Sequence, residues 1–234
     1  MSFPYTIEPI AECSLLIKFN VKPSNELSLY IGSCARVLSD TFPDWLMNIT
    51  PSYCTILVDY LPHRVSMDAF IPLLEKSLEQ VGLQKTSSDP IILLPAFYDP
   101  SVGPDLDMYF KDGLTLDDVI TFHTQQVYTV SAIGFTAGFA FLTDVHPALQ
   151  KPRLPSPRLE VPQGSIAIAN NQTAVYPDQS PGGWNIIGNC PYELYNPNKE
   201  PMTPFSIGAT VQFTSISKDK FIALGGKIPC KERL

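Results

Sequence analysis

The sequence predicts an α+β domain over residues 1–92, followed by a mainly β, barrel-like domain over residues 93–234. Three observations lead to this fold class. In the first part of the chain, stretches with the strand period alternate with stretches that have the helix period. From Tyr98 onward the pattern changes to short strand-like runs separated by turn residues. The 234 residues also include 23 prolines, which favour short strands and ordered turns over long helices.

The first half alternates between predicted strands and predicted helices. Apolar residues three and four positions apart predict helices over 24–42 and 66–81, with Ser66 as the N-cap of the second. Pro72 weakens the first half of the second helix, because proline lacks a backbone N–H. Strands are predicted over residues 13–19, 44–49, 53–60 and 91–94. The resulting order, βαββαβ, is that of a ferredoxin-like domain.

The second half contains one short predicted helix and a series of short strands. Thr115 and Asp118 have the spacing of a capping box at the start of the helix. Turn residues separate the strands predicted over 126–132, 165–169, 173–176, 184–188, 192–195 and 209–216. Many short strands at this spacing favour a closed or nearly closed β-barrel.

Composition excludes several classes of protein. A hydrophobic content of 44% with 17% charged residues is typical of a folded globular chain. The formal net charge of −7, without a basic cluster, disfavours nucleic acid as a partner. The start MSFPYTIEPIAE has no secretory pattern, the apolar runs are too short to span a bilayer, and the five cysteines form no CxxC pair. We therefore expect a cytoplasmic protein that does not contact the membrane.

The familiar catalytic motifs are absent from the sequence. It contains no GxSxG, HExxH or GxxxxGK[ST] pattern, and the GGK at 225–227 lacks the rest of a phosphate loop. The three histidines, His63, His123 and His146, are far apart and have no accompanying Cys–His pattern, so we expect no metal site in this chain. These residues are a poor basis for a self-sufficient enzyme.

The candidate site residues lie in glycine- and proline-rich segments of the second half. Two motifs, GFTAGF and SPGGW, contribute Gly134, Phe135, Gly138, Gly182, Gly183 and Trp184. Between them lie Arg153 and Arg158, each preceded by a proline, and then Gln172 and Tyr176. His123 stands at the end of the short helix. Glycine loops let a ligand approach backbone N–H groups, and guanidinium groups bind anions, so the set predicts a site for a carboxylate or a developing oxyanion.

Each of these features also has a structural explanation. Glycines at barrel corners commonly serve only to turn the chain, and Trp184 could be a core residue. Arg153 and Arg158 could form surface or interface ion pairs. His123 could interact with the dipole at the C-terminus of its helix. The order of the motifs therefore carries more information than any one of them.

In their order, the motifs resemble one known family. The run HTQQVYTVSAIGFTAGFAFL, followed by KPRLPSPRLEVPQGSIAIANNQTAVYPDQSPGGWNIIGNCP, resembles the B-type subunit of bacterial ATP-dependent 5-oxoprolinase. The same family is called allophanate hydrolase subunit 1 and includes the kinase inhibitor KipI. The segments YDPSVGPDLD and PFSIGATVQF agree as well, so the resemblance covers residues 98–216. It implies a small α/β domain followed by a cyclophilin-like β-barrel. The family often has GFxPGFxYL, whereas this chain has Ala137 and Phe141 at the proline and tyrosine positions.

The resemblance also implies an activity, the ATP-driven opening of 5-oxoproline to L-glutamate. Members act with a homologous, barrel-bearing C-type subunit, together with a separate A-type subunit, so ATP could be bound by a partner in the complex. The chemistry of this reaction suggests roles for the candidate residues. Arg153 and Arg158 would bind anionic groups, and His123 or Tyr176 would transfer a proton. Gln172 would bind the lactam amide, and the glycine motifs would supply backbone donors.

Two other functions remain open at this stage. A KipI-like protein would inhibit a sensor histidine kinase through its barrel surface. A carboxyltransferase-like half would handle a carboxyl group bound to biotin. The neighbouring genes would distinguish these two functions from the lactam-opening one.

Overall fold

The chain divides into two units by its internal contacts, in the computed structural model of the protein. The first unit comprises Met1–Asp89 with Ser206–Ala209, and the second comprises Pro90–Phe205 with Thr210–Leu234. Within these bounds the structure describes residues 3–81 and 90–228. The protein has a mixed α/β fold in which antiparallel sheet dominates.

The sheet of the first unit contains antiparallel strands in the order β1-β2-β4-β3. Their bounds are Tyr5–Ala11 (β1), Ser14–Phe19 (β2), Leu46–Ser52 (β3) and Thr55–Tyr60 (β4). In β2 and β4 every second side chain is buried, as strand geometry requires when one face meets a core. Leu15 pairs with Val58 and Ile17 with Ile56 across the two strands, so the alternation of the sequence sets the register.

Two helices complete the core of the first unit. These are α1, Asn25–Thr41, and α2, Met67–Glu79. The side chain of Ser24 accepts a hydrogen bond from the Leu27 N–H at 3.1 Å and so caps α1. Ser66 occupies the N-cap position of α2, although its side chain makes no capping bond, and Pro72 lies inside α2 without ending it. The returning segment 206–209 also belongs here, because Ile207 packs against this core.

The prediction that residues 91–94 close the sheet of the first domain is wrong. The strand β5, Ile92–Ala96, pairs in parallel with β13, Thr210–Ser215, and both belong to the second unit. The place beside β2 is taken instead by β1, which the sequence analysis did not predict. Most side chains of β1 are exposed, so its sequence lacks the apolar alternation that reveals a strand.

The main sheet of the second unit has the order β5-β13-β6-β7-β10-β9-β12, antiparallel except for the β5–β13 pair. A separate two-stranded ribbon pairs β8 with β11. The further strands are Tyr128–Ile133 (β6), Ala140–Thr143 (β7), Arg158–Val161 (β8), Ser165–Ala169 (β9), Gln172–Val175 (β10), Ser180–Gly182 (β11) and Asn185–Asn189 (β12). The helices are Leu106–Lys111 (α3), Leu116–Thr124 (α4) and Lys218–Ala223 (α5), with a 3-10 turn at Pro147–Leu149.

Local signals in the second half have mixed outcomes. The capping box is confirmed, since the Thr115 hydroxyl accepts from the Asp118 N–H and the Asp118 carboxylate accepts from the Thr115 N–H. The strand predicted over 192–195 is wrong. This segment follows Pro191, which has no N–H for a ladder, and its Leu194 is buried in a loop instead.

Candidate functional site

Aromatic side chains from three parts of the second unit form one cluster, which we call the Tyr176 cluster. Its members are Phe135, Phe139, Phe141, Tyr176 and Trp184. Phe139 lies at its centre, with its ring 5.3 Å from that of Tyr176 and 5.8 Å from that of Trp184, both in edge-to-face geometry. Aromatic rings favour this arrangement because the positive edge of one meets the negative face of the other.

The GFTAGF motif forms a tight loop at the margin of the cluster. The Gly134 N–H donates to the Phe139 carbonyl at 3.1 Å, so this donor closes the loop and is not available to a ligand. Phe135 has a φ of 73°, a left-handed conformation that is costly for a bulky residue. Its ring is 62% exposed and still contacts Phe139 and Tyr176 at one edge. Gly138 packs closely against the Leu194 backbone and the Cβ of Tyr195.

The SPGGW motif approaches the cluster from its other side. A Cβ on Gly182 would lie 2.3 Å from the Tyr176 hydroxyl oxygen, so only glycine fits there without a shift. The Trp184 backbone also hydrogen-bonds to that hydroxyl group. The Gly183 carbonyl accepts from the Leu154 N–H at 2.7 Å, which ties SPGGW to the segment that carries Arg153. The two glycine motifs therefore meet at Tyr176.

Arg153 lies at the exposed face of the cluster. Its guanidinium carbon is 5.7 Å from the centroid of the Trp184 ring, within the range of a cation–π contact. Burial raises the pKa of Tyr176 above its ordinary value, although the charges of Arg153 and Arg158 and the Trp184 backbone oppose this shift. The phenol is therefore neutral at pH 7 and can donate a proton in a hydrogen bond.

Arg158 is fixed by an ion pair with Asp105, a partner that no sequence motif indicates. Its Nη2 lies 2.7 Å from Oδ1 of Asp105, whose Oδ2 accepts from the Ile186 N–H at 2.6 Å. Asp105 is buried, whereas Arg158 is half-buried. Arg158 also donates weakly to the Trp184 carbonyl, at 3.5 Å, so it lies next to the Tyr176 cluster. The alternative explanation of Arg158 as an ion-pair residue agrees with these contacts.

Gln172 precedes Tyr176 by four positions, at the start of β10. Strand geometry places residues 172, 174 and 176 on one face of the chain, and Ala174 and Tyr176 both pack in the core of the cluster. Gln172 pairs with Thr143 and Ala169 and is half-buried. It therefore lies on the same face as the cluster, at the opposite end of the strand from Tyr176.

His123 lies in a different environment from the other candidates. Its ring is fully buried, with Nδ1 2.6 Å from the Tyr98 hydroxyl and Nε2 3.0 Å from the Thr173 hydroxyl. Burial lowers the pKa of His123 to about 3, so the ring is neutral at pH 7. The rings of Tyr128 and Phe213 pack against it. Both ring nitrogens are thus hydrogen-bonded to protein hydroxyl groups, which favours a packing role for His123 over proton transfer.

A cavity of about 490 Å³ opens beside Arg158 in the second unit. Its walls come from segments that carry the family resemblance, namely the loop at 101–104, residues 158–165 and residues 186–193. The GGK at 225–227 forms a further part of the wall. All these segments contain motifs visible in the sequence, but nothing in the motifs indicates that they enclose one space.

The described part of the chain contains neither a cluster of metal-ligating side chains nor a membrane-spanning helix. Residues 3–81 and 90–228 contain no group of three or more His, Cys, Asp or Glu side chains arranged to hold a metal ion. Over the same residues, no helix has both the length and the apolar character needed to cross a bilayer. Cys13, Cys34, Cys54 and Cys190 are free thiols.

Comparison with known families gives one match over most of the chain. The model for the carboxyltransferase domain, subdomain C and D, matches residues 5–205. Among curated proteins, the B-type subunit of 5-oxoprolinase from Bacillus subtilis (strain 168) is 30% identical over 235 residues, which cover 95% of this chain and 98% of the relative. The protein of the same name from Haemophilus influenzae (strain ATCC 51907 / DSM 11121 / KW20 / Rd) is 38% identical over 211 residues, 88% of this chain and 96% of the relative.

A solved structure shares the fold. TTHA0988 is 30% identical to this chain, with a TM-score of 0.79 over 97% of it. The aligned part is 42% of the TTHA0988 chain, so this chain spans less than half of that protein.

Proposed function

Because the chain belongs to the family of carboxyltransferase subdomains C and D, which includes proteins named as the B-type subunit of 5-oxoprolinase, we propose that it is one subunit of a 5-oxoprolinase complex. The observation that carries this proposal is the identity of 30–38% to three curated relatives of that name. The complex would open the lactam of 5-oxoproline to L-glutamate with ATP, in the cytoplasm. Its other members would be a homologous, barrel-bearing C-type subunit together with a separate A-type subunit.

The reaction needs an activated lactam. Resonance stabilises an amide, as the rotation barrier of about 18–20 kcal/mol for a peptide bond shows. Transfer of a phosphoryl group from ATP to the lactam oxygen would make the ring carbon electrophilic. Water would then add to that carbon, the C–N bond of the ring would break, and phosphate would leave. A protein that takes part in this reaction has to bind anions, supply hydrogen-bond donors and exclude bulk water.

The Tyr176 cluster provides groups for these tasks. Arg153 would bind the substrate carboxylate or the phosphoryl group from above Trp184, and the exposed Phe135 would form the apolar wall against which the lactam ring packs. The neutral phenol of Tyr176 would donate to an oxygen that gains charge. Gln172 would bind the lactam amide from the same face of β10. Gly183 would offer backbone groups beside Trp184. ATP would be bound by a partner in the complex.

We further propose that the two units are separate folding domains and that the second is a cyclophilin-like barrel. Each unit has a hydrophobic cluster of its own, which is what independent domains require. The division of internal contacts between Asp89 and Pro90 supports a boundary close to the predicted one after residue 92, since β5 pairs within the second unit.

Reconstitution tests the proposed function. The purified chain, its partner proteins without it, and the full mixture are each supplied with 5-oxoproline and ATP, and release of glutamate and ADP is measured. We expect turnover only in the full mixture. Release by the chain alone at the rate of the mixture would contradict the need for partners. Equal turnover by the partners without this chain would contradict its membership of the complex.

A further inference from the structure

The cavity beside Arg158 has the size of a small-molecule site. Its volume of about 490 Å³ lies in the range of about 300–1,000 Å³ typical of ligand pockets. It is not part of the Tyr176 cluster, since Arg158 is the one candidate residue from the sequence that lines it. Its lining combines apolar residues such as Val102 and Ile186 with charged residues on β8.

Strand β8 presents a cation and an anion to this space. Arg158 and Glu160 are two positions apart, so both side chains lie on the same face of the strand, and both line the cavity. Leu159 points the other way and is 92% exposed. The wall therefore carries a guanidinium and a carboxylate next to each other, at the spacing of alternate residues in a strand.

Both charged groups are held in place by the protein. Asp105 fixes Arg158 through Nη2 at 2.7 Å, and the Ile186 N–H fixes Asp105 in turn at 2.6 Å. A guanidinium carries five N–H donors, so the contacts with Asp105 and the Trp184 carbonyl leave donors for a ligand. The Glu160 carboxylate accepts from the side-chain amide of Gln179 through Oε1.

The charges around the cavity balance when the ion-pair partners Asp105, on Arg158, and Lys199, on Glu193, are included. Arg158 and Lys227 are the cationic residues of the described lining, and Glu160 and Glu193 are the anionic ones. Glu193 also binds Lys199 at 2.7 Å. A polyanion such as a nucleoside triphosphate would meet two carboxylates here and would be repelled. A ligand with one positive and one negative group complements the charges of Glu160 and Arg158 on β8.

We propose that this cavity binds a free α-amino acid as its zwitterion. The α-carboxylate lies against the guanidinium of Arg158, and the α-ammonium group lies against the carboxylate of Glu160. The apolar residues of the lining, such as Val102 and Ile186, receive the side chain. This inference goes beyond the proposed function and does not need the partner proteins, because all the residues involved belong to this chain.

Calorimetric titration of the purified full chain tests the proposal. The probes are L-glutamate, L-leucine and L-alanine, together with two analogues of each that lack one charge: the N-acetyl derivative and the carboxamide. We expect heat of binding for at least one amino acid at millimolar concentration or below, and at least about tenfold weaker binding of both its analogues. No binding of any of the three amino acids, or equal binding of an analogue, would overturn the proposal.

Variants of β8 locate the bound ligand. Glu160→Gln keeps the shape and removes the charge, so it should weaken amino-acid binding about tenfold at an unchanged melting temperature. Leu159→Ala, on the opposite face of the same strand, is the matched control and should bind as the native chain does. Native affinity in Glu160→Gln would overturn the assignment. Turnover of 5-oxoproline by the reconstituted complex is measured separately. A failure of amino-acid binding would therefore not contradict the proposed function.

Discussion

The guanidinium of Arg153 lies over the indole ring of Trp184, with 5.7 Å between the guanidinium carbon and the ring centroid. Arg153 is exposed, whereas Trp184 is buried and packs edge-on against Phe139 and Phe141. An exposed cation thus lies above a buried aromatic core. Because its charge stays at the surface, the guanidinium can bind an anion without losing this support.

Arg153→Ala should lower the turnover of the reconstituted complex much more than the stability of the chain. The variant loses a planar anion-binding group, which we expect to cost at least tenfold in turnover. The loss of an exposed cation–π contact should reduce the free energy of unfolding by at most about 1 kcal/mol. Turnover and melting temperature are measured side by side. Arg36→Ala, at an exposed position of α1, is the control, and native turnover in Arg153→Ala would contradict the anion-binding role.

Phe135→Gly should separate the function of the exposed ring from its effect on stability. Glycine adopts a φ of 73° without steric cost, so the substitution relieves backbone strain and stabilises the fold by roughly 1–2 kcal/mol. The edge-to-face contacts with Phe139 and Tyr176 are lost, at about 0.5–1.5 kcal/mol per aromatic pair. These terms nearly cancel, so we expect the melting temperature to change little while turnover of the complex falls. Unchanged turnover would show that the strained ring has no role in the reaction.

Gly182→Ala should disturb Tyr176. The new Cβ would lie 2.3 Å from the phenol oxygen, so either the ring or the SPGGW backbone must shift. We expect a loss of about 1–3 kcal/mol in the free energy of unfolding, as for other overpacked sites, together with reduced turnover. Gly134→Ala is the matched control, because a Cβ there meets nothing within 4 Å. Chemical denaturation of both variants measures the difference, and equal stability would contradict the close packing at Tyr176.

His123 should make the stability of the chain depend on pH. Its pKa falls from 6.5 to about 3 on folding, so between these values the unfolded state binds more protons than the folded state. The lowered pKa therefore adds to the free energy of unfolding. This added stability is fully present above pH 6.5 and is lost as the pH falls toward 3, by at most about 1.4 kcal/mol per pH unit. Denaturation curves recorded across this pH range give the free energy of unfolding at each pH. That free energy should rise less steeply with pH in His123→Gln than in the exposed control His63→Gln. A His123 ring signal that titrates near pH 6.5 in NMR would contradict the buried, neutral state.

Local patterns predicted the helices of the first unit well. The apolar spacing over 24–42 corresponds to α1, Asn25–Thr41, because that spacing is set by residues within one helix. The partner of β5 could not be predicted in the same way. An apolar run such as IILL indicates a buried strand, but its pairing with β13 joins residues more than a hundred positions apart. Nothing in the run itself states which sheet it joins.

The sequence also predicted the candidate site only in part, because local patterns do not reveal contacts between distant residues. The motif order led to Phe135, Arg153, Tyr176 and Trp184, which the structure brings together. It missed Asp105, although the segment YDPSVGPDLD was recognised, because its importance comes from contacts with Arg158 and Ile186 that only the folded chain makes. The position of a histidine at the end of a helix likewise does not reveal whether the ring points into a core.

The segment 206–209 has a consequence for the way the protein is made. Ile207 packs against the core of the first unit, where its carbonyl oxygen would lie 2.2 Å from a Cβ on Gly32. A ribosome releases the helix that carries Gly32 long before it reaches Ile207, and most of the second unit is synthesised in between. The N-terminal unit therefore leaves the ribosome with one of its packing surfaces uncovered. A released chain that ends before Ser206 should accordingly depend more on chaperones than one that ends after Thr210.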